Sequence, residues 1–491
     1  MMLSPRKFPI TLLAITLIGT NSLCAANEVQ GIKLPETAAA KLMSDWASLC
    51  RKPDLAQMTT WMDKHLSAEG AKRMSAQARA KDGYALCADN GGLAVVEVAN
   101  SDAASISLTM KGVKTGRWFE MLVIANAAGE LDRGGNRPTL APENSLPASL
   151  SDALIASEVK RVVDDLSKAE QFSGIVVVAR GSRVIASASG GHANRAEKTP
   201  ITEASRFTLG SMGKMFTAVA IGQLVDQHKL KLDDTVGTFF PDYRNPTIRD
   251  QATVAMLLSH SSGMGDFLDK RTPAMMSKGV QRASEFMPLY DADEPQFAPG
   301  SDRAYSNAGL ALAGAIVEKV SGENYPDYLR KHVFEPARML HSSANNIPLA
   351  IDGLVTPYTR EKSPDWQIAE ADIGSPAGGA ISTAADLIHF ADALRDGGLV
   401  SKAWLADMAT PHGPPAPGGA YGYAMEIEDI YGETVVGHSG GFPGVSTHLF
   451  LVLGSPYTVV VLSNQDPPAE AAVGLPVIAL VAERAKRDKS H

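Results

Sequence analysis

Apolar residues recur at helical spacing from Ala38 to Leu49, with Leu42, Trp46 and Leu49 on one side, and this spacing predicts a helix. Trp61, Met62 and Leu66 continue that character. The pattern then changes to short apolar runs. Leu93–Val98, Ile106–Met110 and Trp118–Ala125 read as strands, punctuated by Gly91-Gly92, Gly112 and Ala127-Ala128-Gly129. Helices followed by an antiparallel sheet is an α+β pattern, so residues 27–135 read as a small separate module. Gly134-Gly135-Asn136-Arg137-Pro138 through Pro147 is dense in turn formers and reads as a linker, bounded at 136–149.

A second pattern begins near Leu150 and runs to the end, over 150–491. Ile155–Leu166 has helical periodicity. Gly174–Ala179 and Arg183–Ser189 are apolar strands joined by Arg180-Gly181-Ser182, a hairpin signal. The long middle is mostly helix and loop, including Met215–Gln227 and Ala308–Val320, the latter closed by Gly322. Strands return at Tyr421–Glu428, Thr434–His438, Thr447–Val452 and Thr458–Leu462, and a last helix runs over Ala469–Ala485. One sheet built from both ends of this region, with helices inserted between, fits better than the strict strand–helix alternation of a doubly wound fold. The element order of the first module resembles small cone-shaped α+β domains of the NTF2-like type.

Composition changes this picture little. The 491 residues are enough for two or three domains and a sizeable core. The formal net charge of −8, with a sequence pI near 5.8, argues against a general attraction to nucleic acid or anionic membranes. The N-terminus adds more. Arg6 and Lys7 precede an apolar run, Phe8–Ile18, and small residues follow at Cys24-Ala25-Ala26. Residues 1–26 read as a secretory signal peptide, with the mature chain periplasmic or secreted. The run is shorter than the ~20 residues of a membrane span, so no membrane anchor is expected. In an oxidising compartment Cys50 and Cys87 are free to pair; the other reading is two small buried hydrophobes.

Two serines compete as nucleophile. Gly437–Gly441 (G-H-S-G-G) matches the nucleophile-elbow string around Ser439. An elbow needs a strand, a tight turn and a helix. Here Pro443 and Gly444 stop any helix, and no well-placed histidine follows. Ser211 stands in S-M-G-K, ahead of a helical run. Residues three apart on a helix share a face, so the Lys214 amine can lie beside the Ser211 hydroxyl as a general base. Alone, the string also fits an N-capping serine beside a solvated lysine. Tyr305-x-Asn307 and His438-x-Gly440 follow it in order.

In that order, Ser211-x-x-Lys214, Tyr305-x-Asn307 and His438-x-Gly440 resemble the three motifs of the serine β-lactamase and penicillin-binding-protein superfamily. Tyr-x-Asn points to the class C-like branch, with its β-lactamases, D-stereospecific peptidases and family VIII esterases. Leu257–Gly263 (L-L-S-H-S-S-G) and Gly378–Leu387 (G-G-A-I-S-T-A-A-D-L) look like further signatures of that family. The resemblance implies an α/β (α+β) fold: an antiparallel sheet flanked by helices, with an all-helical subdomain. It implies an acyl-enzyme on Ser211, proton transfer by Lys214 and Tyr305, and an oxyanion hole at the Ser211 and Gly441 N–H groups. Asn307, His438, Gly440 and Gly441 would line the substrate site. β-Lactamases of this type usually carry lysine at the position of His438. A neutral histidine attracts carboxylate less, which favours an esterase or D-peptidase over an efficient lactamase. The alternatives are a slow penicillin-binding sensor and a true class C-like β-lactamase. His260 reads as a structural loop histidine. The expected substrates are small esters, amides or D-amino-acid peptides, with no nucleic acid partner. No His/Cys/Asp/Glu cluster has metal-ligand spacing, so no metal or other cofactor is expected. The 27–135 module is left to bind an unknown partner.

Overall fold

The computed structural model describes residues 28–490, apart from 273, 276–278, 345–350, 370–373 and 417–418. The segment read as a signal peptide lies outside the described residues. The chain divides into two compact units, one reaching Lys114 and including Glu120–Asn136, the other holding Thr115–Phe119 and everything from Arg137.

The first unit has helices Ala38–Arg51, Leu55–His65, Ala68–Arg73 and Ala76–Asp89. Thr37, Asp54, Ser67 and Ser75 cap them, each side chain accepting from a backbone N–H in the first turn. Cys50 and Cys87 form a disulfide between the first and last of these helices. Strands Leu93–Ser101, Ser105–Gly112, Trp118–Ala125 and Leu131–Pro138 make a sheet in chain order. The fourth strand corrects the reading of Gly134–Pro138 as linker. A sheet edge is held by backbone bonds, which Gly and Asn supply as well as any residue, so turn-former density alone misleads there.

In the second unit, alternate residues of Gly174–Arg180 serve opposite faces. Ile175 and Val177 join one hydrophobic core, Val176 and Val178 the other. The strand is buried on both faces, hence its unbroken apolar run. The sheet has seven strands. Their order is Ala420–Tyr421, Glu426–Ile430, Glu433–Phe442, Val445–Val452, Tyr457–Ser463, Gly174–Arg180 and Arg183–Gly190. The two ends of the domain meet where Val460 pairs with Val177, antiparallel. Helices Asp152–Lys168 and Ala469–Lys489 cover one face through Val159, Val163, Val477 and Ile478. The inserted helices cover the other. Two of them, Lys214–Asp226 and Asn307–Ser321, are apolar almost all round and lie in the interior. The fold is thus the antiparallel, helix-flanked arrangement expected for the β-lactamase/transpeptidase type.

Candidate active site

Ser211 lies in a 3-10 turn, Gly210–Gly213, that runs directly into the buried helix Lys214–Asp226. Two segments grip this turn. Leu209 N–H donates to the Ala380 carbonyl at 2.7 Å, and Gly379 N–H donates to the Gly210 carbonyl at 3.1 Å. Thr447 Oγ1 donates to the Leu209 carbonyl at 2.7 Å. Gly210 has φ +55°, a left-handed conformation that glycine adopts without cost.

Lys214 is fully buried. Its Nζ lies 2.9 Å from Ser211 Oγ, 2.7 Å from Asn307 Oδ1 and 2.5 Å from the Ala377 carbonyl. The Tyr305 hydroxyl reaches the same Ser211 Oγ at 2.6 Å, and Lys214 Nζ sits 4.7 Å from the centre of the tyrosine ring. Tyr305 and Asn307 flank Ser306, which is extended (φ −135°, ψ 112°) and caps the Asn307–Ser321 helix. Asn307 Nδ2 donates to Asp266 Oδ2 at 2.7 Å. A carboxylate oxygen can only accept, so this bond fixes the amide with its oxygen facing Lys214.

The proton inventory of Lys214 is informative. As an amine it has two N–H bonds and one lone pair. Asn307 Oδ1 and the Ala377 carbonyl take the two hydrogens, which leaves the lone pair for the Ser211 hydroxyl. As an ammonium it donates to all three oxygens. A proton can pass from serine to lysine without breaking the other two bonds.

Burial of the hydroxyl end raises the Tyr305 pKa above that of a free phenol, even though half of the residue's surface is exposed. The bond to Ser211 opposes the rise, and the charges of Glu426 and Asp266 add to it. Tyr305 is therefore a neutral O–H donor at pH 7.

The strand Glu433–Phe442 pairs with Val445–Val452 from Val435 to Phe442, but with Glu426–Ile430 only as far as Gly437. Beyond Gly437 its free edge meets the serine turn. A Cβ built on Gly210 would stand 3.1 Å from Gly441 N and 3.2 Å from Gly440 Cα. Ser439 is mid-strand, its hydroxyl donating to Glu426 Oε1 at 2.7 Å, with no turn and helix behind it. His438 is buried, with Nε2 bonded to the Tyr421 hydroxyl at 2.9 Å and Nδ1 2.6 Å from the Ser439 carbonyl. Burial and the nearby Lys214 charge lower its pKa to about 3, so it is neutral at pH 7.

The structure thus gathers Ser211, Lys214, Tyr305 and Asn307 into one hydrogen-bonded group and sets Gly440 and Gly441 against the serine turn. His438 lies in the same strand, behind the surface. Asp266, Tyr421 and the Ala377 carbonyl were not singled out from the sequence; no spacing rule points to them.

A Ser–Lys–Tyr cluster at the foot of a buried helix, facing the free edge of an antiparallel sheet, defines the class of β-lactamase-fold hydrolases. The chain belongs to the Beta-lactamase family, whose model matches residues 159–483. Among its relatives is penicillin-binding protein 4* of Bacillus subtilis (strain 168), 28% identical over 334 residues, covering 64% of this chain and 72% of that protein. A penicillin-binding protein from Bacillus halodurans is 30% identical with a TM-score of 0.57, covering 64% of this chain and 97% of its own. The D-amino acid amidase of Ochrobactrum anthropi SV3, solved with L-phenylalanine amide, shares the fold. Its TM-score is 0.59 at 23% identity, covering 68% of this chain and 99% of that one.

Proposed function

We propose that the protein is an exported serine hydrolase that acylates Ser211 and acts on small esters, amides or D-amino-acid peptides. One observation carries this reading: Ser211 Oγ is the shared partner of Lys214 Nζ and the Tyr305 hydroxyl. As Oγ bonds to the substrate carbonyl carbon, its proton passes to the Lys214 amine. The carbonyl oxygen becomes an oxyanion between the Ser211 and Gly441 N–H groups, each donor contributing roughly 10²–10³-fold. The bond to the leaving group breaks as that group takes a proton from Tyr305. Water then attacks the acyl carbon, its proton passing to the same amine–phenol pair, and Oγ leaves with a proton restored.

Neutral, buried His438 supplies no cation for a substrate carboxylate. This supports esterase or amidase chemistry over efficient β-lactam hydrolysis. Export is supported by the leader-like N-terminus and by the Cys50–Cys87 disulfide. The first unit is read as an accessory binding module. A cavity of about 260 Å³ lined by Trp46, Trp61, Met62 and Met121 supports that part.

The test is a panel of p-nitrophenyl esters, D-amino-acid amides and a chromogenic cephalosporin, turned over by wild type and Ser211→Ala. Ester or amide turnover that disappears in Ser211→Ala is expected. Equal turnover by both proteins removes Ser211 from the mechanism.

A further inference from the structure

His260 grips Tyr305 on three sides. The His260 carbonyl accepts from Ala304 N–H at 3.0 Å, one residue before the tyrosine. Its ring Nδ1 accepts from Ser306 N–H at 3.1 Å, one residue after it. The ring itself lies against the tyrosine ring, centroids 4.5 Å apart. His260 holds this place at φ +61°, a left-handed conformation that is unfavourable for a residue bearing a β-carbon.

The Ser306 bond also fixes the direction of a longer chain. Nδ1 accepts a backbone hydrogen, so the imidazole proton resides on Nε2. Nε2–H then donates to the Tyr421 hydroxyl, 3.0 Å away. The Tyr421 hydrogen is left for His438 Nε2, at 2.9 Å. His438 carries its own proton on Nδ1, facing the Ser439 carbonyl at 2.6 Å. All three side chains are buried. Every donor in the chain meets an acceptor, and reversing one bond would set two hydrogens or two lone pairs face to face.

We infer that His260, through Tyr421 and His438, is a positioning residue that holds the Tyr305 hydroxyl on Ser211 and ties its loop to the Gly440–Gly441 strand. The inference rests on the proposed role of Ser211 and Tyr305 and extends it to residues that touch no substrate. His260→Asn keeps an acceptor near Nδ1 and tolerates the left-handed backbone, but loses the donor to Tyr421. Tyr421→Phe removes both Tyr421 bonds with no change of shape.

The experiment is a pair of double-mutant cycles, His260→Asn with Tyr305→Phe and Tyr421→Phe with Tyr305→Phe, read as kcat and KM on a p-nitrophenyl ester and the matching methyl ester. Each single variant is expected to lower kcat about 10- to 100-fold with KM little changed. The loss should be larger on the methyl ester, whose leaving group needs a proton. Neither substitution should lower activity further once Tyr305 is phenylalanine. Additive losses in both cycles, or equal losses on the two esters, overturn the inference and make the chain a fold element only. Ser211→Ala runs alongside. Retained turnover there overturns the nucleophile reading and this inference together, whereas its loss with additive cycles overturns the inference alone.

Discussion

Gly440 stands so close to the Leu209 carbonyl that a Cβ built on it would fall 1.9 Å from that oxygen. Leu209 leads into the Gly210–Ser211 turn, so this approach sets how near the strand edge comes to Ser211. Neither backbone can yield without moving Ser211 or breaking the bond from Thr447 Oγ1 to Leu209. Gly440→Ala is expected to cost about 1–3 kcal/mol of stability, as overpacking does, and at least ~10²-fold in kcat/KM. Thermal melts and ester kinetics on one preparation check both. Unchanged kinetics would separate the strand edge from the proposed oxyanion site.

Lys214→Met fills the same buried space but removes the proposed base and leaves the Asn307 and Ala377 oxygens without their donor. A loss of ~10²–10⁴-fold in kcat is expected, with slower labelling of Ser211 by a fluorophosphonate. Labelling at the wild-type rate would show that serine activation does not need the amine.

Three buried histidines, His260, His438 and His448, have their pKa lowered by burial and give the fold a pH dependence of definite sign. Burial lowers His438 to about 3 and His448 to about 4, against 6.5 for an ordinary imidazole. Below about pH 6.5 the unfolded chain takes up protons that the folded chain refuses, so stability falls as pH drops from there toward 4. Each histidine contributes about 1.4 kcal/mol per pH unit within that window. Denaturant midpoints at pH 7, 6 and 5 for wild type and His448→Gln measure it. The variant should show the shallower decline; parallel curves would contradict the assignment.

The Cys50–Cys87 bridge spans 37 residues of sequence. In the loop-entropy description, a closed loop of that size stabilises by about 3–4 kcal/mol. A Cys50→Ala/Cys87→Ala double variant should therefore unfold its first unit earlier, while turnover at Ser211 persists. Limited proteolysis with activity measured in parallel tests this, and simultaneous loss of both would show that the units depend on one another.

The cluster of Ser211, Lys214, Tyr305 and Asn307 was legible in the sequence because two of its links are local. Ser211 and Lys214 are three apart where the chain enters a helix. Tyr305 and Asn307 flank an extended Ser306, and alternate residues of extended backbone point to the same side. The split sheet was legible too, since its strands are unbroken apolar runs at the two ends of the domain. What stayed hidden depends on distant pairings. His260 meets Tyr421 across 161 positions and Ser306 across 46, and no spacing rule reaches that far. The Ala76–Asp89 helix was missed for another reason: it buries little beyond Ala80, Gly83 and Cys87, so its apolar stripe is faint. Its capping Ser75 was the one local signal.

The most direct measurement is the mass of the intact protein during turnover of a slowly released acyl donor, followed by peptide mapping. An adduct equal to the acyl group, confined to the peptide bearing Ser211 and absent from Ser211→Ala, is the expected result. An adduct on any other residue, or turnover in Ser211→Ala at the wild-type rate, would contradict it.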